Sequence, residues 1–239
     1  MKARLTFTCA KHAEIAKATG AIAQGIDHHF VCVEEKDVDI EIMAGATKIV
    51  CDFSFGGNLN GGIFLKGYAG VLDGIFAQGF DVVEKCDSDA GLLKMAILND
   101  PIQEDVAHVR GVRIGGCLSG GCYVINRHVP DAIRAFVEKY QVPDSPTEPD
   151  PSDPKKTRKT TYTYDGPVFS NRWTPTAEDL CVHRAVIDAG GIADLEDHYW
   201  KPLRHPMNGL PPWAPVALLD PLLPERIPAL CKYVQTLIH

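Results

Sequence analysis

The chain has 239 residues, of which 45% are hydrophobic, and its formal net charge at pH 7 is -7. This length can bury one sizeable core or two small ones, and the acidic balance argues against a protein that coats nucleic acid through bulk electrostatics. No stretch approaches the ~20 consecutive apolar residues of a membrane span, and the first residues are too polar for a secretory signal, so we expect a cytoplasmic location. The eight scattered cysteines lack zinc-type spacing and are expected to be reduced core residues.

Short apolar strands alternate with helical segments along the first half of the chain. The pattern predicts strands at residues 4–9, 29–33, 48–52 and 80–86, and helices at 12–23 and 63–78. This alternation is typical of an α/β fold with a mostly parallel central sheet flanked by helices. We therefore expect that architecture.

An acidic cluster follows the fourth predicted strand, where Asp87 and Asp89 flank Ser88. Mg²⁺ and Mn²⁺ take oxygen ligands and usually keep phosphate oxygens and waters in their remaining positions. The cluster therefore predicts a metal site that handles a nucleotide diphosphate. A solvated turn is the alternative interpretation, because Asp37 and Asp39 repeat the same spacing elsewhere.

Two glycine-rich segments are candidates for close contact with a ligand. Residues 56–62 lack the Gly-Lys-Ser/Thr ending of a P-loop, which favours a flexible loop. Lys66 in the following helix could reach a diphosphate, and the alternative is a lysine exposed to solvent. Farther along, Gly120 and Gly121 precede an apolar strand at 122–125. Paired glycines let the backbone approach a ligand closely, or they form a hairpin turn, and both interpretations stay open.

The second half of the chain contains a predicted helix at 131–140 and then a change of composition. Residues 143–172 begin acidic and proline-rich and continue with a basic run, so we expect a long, flexible surface loop of the kind that serves as a lid or acceptor-binding segment. Glu178 and Asp179 then open a helix. A capping box of Thr176 and Asp179 explains these acids, and the alternative is a carboxylate that accepts a proton from an attacking hydroxyl.

The order of these blocks resembles the nucleotide-sugar glycosyltransferases of the GT-A type, glycosyltransferase family 2 in particular. The resemblance spans residues 4–205 and rests on an Asp-x-Asp at a strand end, a Gly-Gly strand at 120–127 and a helix opened by Glu-Asp at 178–185. It implies a single GT-A-like, Rossmann-related domain over residues 1–239. The nucleotide-binding half would be residues 1–100 and the acceptor-side half residues 101–239.

The resemblance also implies a metal-dependent glycosyltransferase that uses Mn²⁺ or Mg²⁺. The donor would be a nucleotide-diphosphate sugar, and the acceptor is unknown: a glycan, a protein, a small molecule or a nucleic acid. Thr8 and Cys9 at the end of the first strand, with Glu34 or Glu35 at the end of the second, would line the nucleoside pocket.

The same resemblance implies roles for four acidic residues. Asp87 would face the ribose or the metal, and Asp89 would be the main metal ligand, neutralising the diphosphate as it leaves. Asp179, or else Glu178, would be the general base of an inverting displacement.

A faint similarity to retaining GT-A enzymes covers residues 198–206, where a histidine would complete the metal site. The spacing departs from that family's pattern. Two questions therefore stay open: whether His198 or His205 is the metal ligand, and whether the reaction inverts or retains the stereochemistry. Two other functions also stay open. One is a nucleotidyltransferase, which also needs a metal-bound acidic pair. Such an enzyme should carry a basic, glycine-rich phosphate loop near the first strand, and this chain lacks that loop. The other is a non-catalytic binding protein with the same fold.

Overall fold

A seven-stranded mixed sheet forms the centre of the protein. The computed structural model describes residues 1–13, 16–17, 20, 23, 25–55, 61–88, 101–114, 116–169 and 177–197. The strands of this sheet are β1 (Lys2–Phe7), β2 (His28–Glu34), β3 (Thr47–Cys51), β4 (Val82–Asp87), β5 (His108–Ile114), β6 (Cys117–Asn126) and β9 (Ile192–Asp197). They lie in the order β3-β2-β1-β4-β6-β5-β9.

Parallel pairing dominates the sheet, as the alternation of strands and helices predicts. Strand β1 is parallel to both β2 and β4, β3 is parallel to β2, and β9 is parallel to β5. Only β6 runs against its neighbours β4 and β5. The predicted α/β class and the four predicted N-terminal strands are confirmed. Gly120 and Gly121 belong to a β5–β6 hairpin, whose turn residue Gly116 has a φ of +85°.

Three helices of the described residues pack on one face of this sheet: α1 (Gly62–Phe76), α2 (Val129–Lys139) and α3 (Glu178–Asp188). Helix α1 buries Phe64, Tyr68 and Leu72 at helical spacing in the main core. Because strand side chains alternate between faces, Val83 of β4 joins this core, while Cys86 belongs to a small cluster on the opposite face. The predicted helices at 63–78 and 131–140 are confirmed.

The segment after α2 differs from the surface loop predicted for residues 143–172. It contains a separate hairpin of β7 (Thr147–Asp150) and β8 (Asp153–Lys159), and the chain then buries Tyr162 and Tyr164. Both tyrosine rings lie about the ring of Phe136 on α2, with centroids 5.9 and 6.0 Å away. The charged composition suggested that the segment could not pack in a core, but these aromatic side chains outweigh it.

Some predictions fall where the structure gives no description. Half of the residues of the predicted helix at 12–23 lie outside the described residues, and residues 198–239 lie there entirely. Within the described ranges, no helix combines the length and apolar character needed to cross a membrane.

Candidate active site

A buried lysine, Lys85, lies near the carboxyl end of the central strand β4. Its side chain is 3% exposed, and its ammonium lies 2.7 Å from Asp87 Oδ1 and 3.2 Å from Glu178 Oε2. Burial alone would lower the pKa of Lys85, but the two carboxylates outweigh it and raise the pKa well above its usual value. The ammonium therefore stays charged and joins two residues that the sequence singles out.

Glu178 is the first residue of α3, and its carboxylate turns back toward the sheet. The hydroxyl of Tyr123, on β6, donates a short hydrogen bond to Glu178 Oε1, and the hydroxyl of Tyr68 lies 3.0 Å from that of Tyr123. Burial raises the pKa of Glu178 and Asp87 raises it further, while Lys85 and Tyr123 oppose this shift. The result is a continuous buried polar chain from α1 through β6 and α3 to the end of β4.

Alternation along β4 explains this convergence. Lys85 and Val83 point to the face that the helices cover, so the lysine meets the start of α3 and the ring of Tyr123, whose centroid lies 5.4 Å from the ammonium. Asp87 follows on the same side, but its side chain is 46% exposed because the strand ends there. The carboxylate thus emerges at the surface while its lysine partner remains buried.

The antiparallel register of β4 and β6 brings the predicted glycines to the same place. Cys86 lies opposite Cys122, so Gly121, the next residue on β6, lies beside the end of β4 near Asp87. Gly120 continues the same strand. Ser88 is buried, and Asp89 lies outside the described residues. The structure therefore brings Asp87, Gly121 and Glu178 together.

Thr8 and Cys9 lie at the same edge of the sheet. Phe7, the last residue of β1, pairs with Asp87, and the chain continues directly into Thr8. The side-chain hydroxyl of Thr8 is buried and has no hydrogen-bond partner among the residues that the structure describes. A buried hydroxyl without a partner is costly, and a ligand at this edge would satisfy it. Cys9 is half-buried.

Glu34 ends β2 and has three partners of its own. Its carboxylate accepts hydrogen bonds from Ser54 Oγ and the Phe55 backbone N–H, both at 3.0 Å, and lies 2.7 Å from Lys36 Nζ. Burial raises the pKa of Glu34, but these three partners outweigh it and lower the pKa overall. The geometry shows Glu34 fixing the segment after β3, whereas Glu35 is exposed in a short 3₁₀ turn.

The remaining predicted site residues fall into two groups. Lys66 of α1 forms an exposed ion pair with Asp144 at 2.9 Å, and Asp179 Oδ1 accepts the Leu180 backbone N–H at 2.8 Å. The N-cap of α3 is Ala177, without a side-chain cap, so the predicted capping box is not how this helix begins. Three other predicted or related residues, Thr176, His198 and His205, lie outside the described residues.

The residues that sequence reasoning missed are Lys85 and Tyr123. A signal for Lys85 was available, because a lysine inside an apolar strand that is expected to be buried needs an anionic partner. Nothing in the pattern identified Tyr123, which reads as an ordinary strand residue. Its role depends on the pairing of β6 with β4 and on the position of α3.

The donor atoms around Asp87 fit a divalent ion in part. Lys85 contacts Oδ1 of Asp87, whose carboxylate is half-exposed, and carboxylate oxygens are the kind of ligand that Mg²⁺ and Mn²⁺ prefer. The other predicted ligands lie outside the described ranges. Within those ranges, the one group spaced closely enough to share an ion is Glu84, Cys86 and Cys122, on the opposite face of β4.

Comparison with known proteins gives only a distant likeness of fold. No protein-family model matches the chain, and no curated protein sequence matches it. One similar solved structure is a 4-diphosphocytidyl-2C-methyl-D-erythritol synthase from Anaerococcus prevotii DSM 20548, with 7% identity and a TM-score of 0.34 over 58% of this chain and 75% of that one. A second 4-diphosphocytidyl-2C-methyl-D-erythritol synthase has 10% identity and a TM-score of 0.34 over 55% of this chain and 78% of its own.

Proposed function

We propose that the protein is a metal-dependent transferase that acts on a nucleotide diphosphate compound at the carboxyl ends of β1 and β4. The observation that carries this proposal is the Lys85–Asp87 pair, in which a buried ammonium holds a carboxylate at the end of the central strand. In open α/β sheets, ligands bind at the carboxyl ends of the parallel strands. The unpartnered hydroxyl of Thr8 at the same edge supports a polar ligand there.

In this proposal Asp87 and Asp89 hold a Mn²⁺ or Mg²⁺ ion, which when bound neutralises the charge of the diphosphate. The chain's own residues position that carboxylate. Lys85 contacts Oδ1 of Asp87 and so holds this carboxylate at the end of β4, and Glu178 compensates the buried charge of Lys85. Lys85 and Glu178 are therefore positioning residues, since both of their charged groups are already engaged with each other.

Glycosyl transfer is the first candidate reaction, because the order of the motifs along the chain matches that of GT-A enzymes. It needs a group that accepts the proton of the attacking hydroxyl. Glu178 is poorly suited, because its two oxygens already contact Lys85 and Tyr123 within the protein. Asp179, which is half-buried one residue later, is the better candidate for the base.

Nucleotidyl transfer is the second candidate, and the enclosure of Glu178 favours it. When the acceptor is a phosphate, the attacking oxygen is already an anion and needs no protein base. A site with a positioned metal ligand and no accessible Glu178 suits such a reaction. A non-catalytic nucleotide-binding protein would share the binding site and lack turnover.

The test is a thermal-shift screen with nucleotide sugars and nucleoside triphosphates, each with and without Mn²⁺. We expect one nucleotide class to raise the unfolding temperature only with the metal, and this shift to vanish in Asp89→Ala. Asp39→Ala is the matched control, because Asp39 has the same local spacing, is exposed and lies outside the site. Equal shifts in wild type and Asp89→Ala would overturn the proposal.

Product analysis with the bound nucleotide then separates the candidates. Glycosyl transfer or hydrolysis releases a nucleoside diphosphate, whereas nucleotidyl transfer from a triphosphate releases pyrophosphate. Asp179→Asn should abolish release in the first case and preserve metal-dependent binding. Binding without either product, across a panel of acceptors, would favour the non-catalytic function.

A further inference from the structure

Two buried cysteines lie side by side on the face of the sheet opposite the helices. Cys86 of β4 and Cys122 of β6 are direct partners in the antiparallel register, and their Sγ atoms are 2.9 Å apart. Both side chains are buried, and both sulfurs are free thiols. We propose that Cys86 and Cys122 are a redox-active pair that a small hydroperoxide oxidises to a cross-strand disulfide.

The backbone geometry suits this bridge. Directly opposed residues on antiparallel strands have Cα atoms about 4.5–5.5 Å apart, which lies within the range of about 4.4–6.8 Å that a disulfide spans. The two sulfurs already lie closer than a van der Waals contact, so forming the bond needs only a small rotation of the side chains. The strands themselves do not have to move.

A second pair of neighbouring cysteines provides an internal comparison. Cys32 and Cys51 also interact, but they lie on parallel strands whose register pairs Cys32 with Ile49 and Cys51 with Glu34. They are therefore offset by two positions. From the spacing between strands and the rise per residue, the Cα atoms of Cys32 and Cys51 are then about 8 Å apart. A separation above about 7 Å cannot be bridged without movement of the backbone.

The surroundings of Cys86 and Cys122 oppose the alternative of a metal site. Glu84 is near enough to complete a three-residue ligand group, but it is bonded to Lys2 at 2.6 Å and lies 3.8 Å from the guanidinium of Arg4. Arg4 is almost fully buried, and its fixed positive charge beside the pair repels a cation. Two thiolates on one tetrahedral zinc would also lie about 3.8 Å apart, given the usual bond length.

The proposed oxidation balances with hydrogen peroxide as the oxidant. One thiol sulfur attacks a peroxide oxygen, the O–O bond breaks, and a sulfenic acid and one water form. The second thiol then attacks the sulfenic sulfur, the Sγ–Sγ bond forms, and the hydroxyl leaves as a second water. The two cysteines together lose two electrons and two hydrogens, which the peroxide takes up. A small oxidant matters here because both sulfurs are buried.

The test uses the full chain and does not depend on the proposed transferase activity. Native protein is treated with hydrogen peroxide, its remaining thiols are alkylated in denaturant, and unreduced digests are examined by mass spectrometry. We expect a linked peptide containing Cys86 and Cys122, reversed by reductant and at least about tenfold more abundant than any link between Cys32 and Cys51. In Cys122→Ser we expect Cys86 to stop at sulfenic acid, which a sulfenic acid reagent labels, and Cys51→Ser should leave the 86–122 link unchanged.

Three results would overturn the proposal. The first is full alkylation of Cys86 and Cys122 after a treatment that oxidises the half-buried Cys9 and Cys117. The second is a link between Cys32 and Cys51 in the same yield as the 86–122 link. The third is zinc in the purified protein that is lost in Cys86→Ser. If Cys122→Ser fails to fold, the comparison of the two pairs within the wild-type protein still decides the question.

Discussion

Replacing Lys85 with methionine should be one of the most destabilising changes in the described part of the protein. The change keeps the length of the side chain and removes a charge that is 3% exposed and that compensates Glu178, whose side chain is 12% exposed. Breaking a buried ion pair from one side costs about 3–5 kcal/mol of unfolding free energy, because the other charge is left without compensation. Asp87 adds little to this cost, since water solvates its half-exposed carboxylate.

The assay is urea unfolding near neutral pH, with Lys66→Met as the matched control. Lys66 also pairs with an aspartate, but the two side chains are 55% and 67% exposed, so its loss should cost no more than about 1 kcal/mol. A double variant, Lys85→Met with Glu178→Leu, removes both buried charges and should recover much of the lost stability. This recovery distinguishes an uncompensated charge from a simple loss of packing.

The pH dependence supplies an independent check on the same reasoning. Because the pKa of Glu178 is raised from 4.5 in the folded protein, the folded state keeps a proton that the unfolded state has already lost. The contribution of Glu178 to stability therefore falls as the pH rises above 4.5, and it falls further in Lys85→Met, where the ammonium no longer favours the carboxylate. The gap between the variant and wild type should narrow toward pH 4.5. A Lys85→Met loss no larger than that of Lys66→Met, or a gap independent of pH, would refute the buried ion pair.

Three further predictions concern stability. Burial lowers the pKa of His183 from 6.5 to about 4, so between these pH values only the unfolded state binds a proton at this residue. The free energy of unfolding should therefore fall as the pH drops below 6.5, by about 2 kcal/mol at pH 5. Urea unfolding of His183→Gln should show a smaller decrease over the same pH range. Tyr123→Phe removes the donor to a buried carboxylate and should cost about 1–3 kcal/mol in the same assay, more than Tyr68→Phe. Gly61→Ala would place a Cβ 2.0 Å from the carbonyl oxygen of Asp144 and should lower the melting temperature. Gly70 is exposed in a helix and has open space around it, so Gly70→Ala should raise the free energy of unfolding by about 0.5–1 kcal/mol.

The sequence predicted most of the parallel part of the sheet because its strands are short apolar runs separated by helical segments. Strand β9 was missed because three of its six residues are acidic and interrupt the apolar pattern, although pairing with β5 stabilises it. The β7–β8 hairpin was missed for a similar reason. Its residues are charged and mostly exposed, so only backbone pairing and ion pairs such as Arg158 with Glu148 identify it.

The candidate site was predictable to the extent that it follows from strand ends and helix starts. Asp87 and Glu178 each stand at such a position, and their proximity follows once α3 is placed beside β4. The partnership of Lys85 with both was not predictable, because it depends on contacts between segments far apart in the chain. The same holds for Glu34, whose hydrogen bonds to Ser54 and Phe55 depend on how the segment after β3 folds back toward β2.

The two proposals rest on one structural fact, the register of β4 against β6. Side chains alternate along β4, so Lys85 and Asp87 face the helices while Glu84 and Cys86 face the other side. A slip of one residue would exchange these faces, moving Cys86 toward α3 and Lys85 into the neighbourhood of Arg4. A disulfide between Cys86 and Cys122 would therefore fix the register that directs Lys85 to Glu178. The oxidation experiment thus tests the geometry of the candidate active site without any assumption about substrate, and an alternative pairing of Cys86 would remove the structural basis of both proposals.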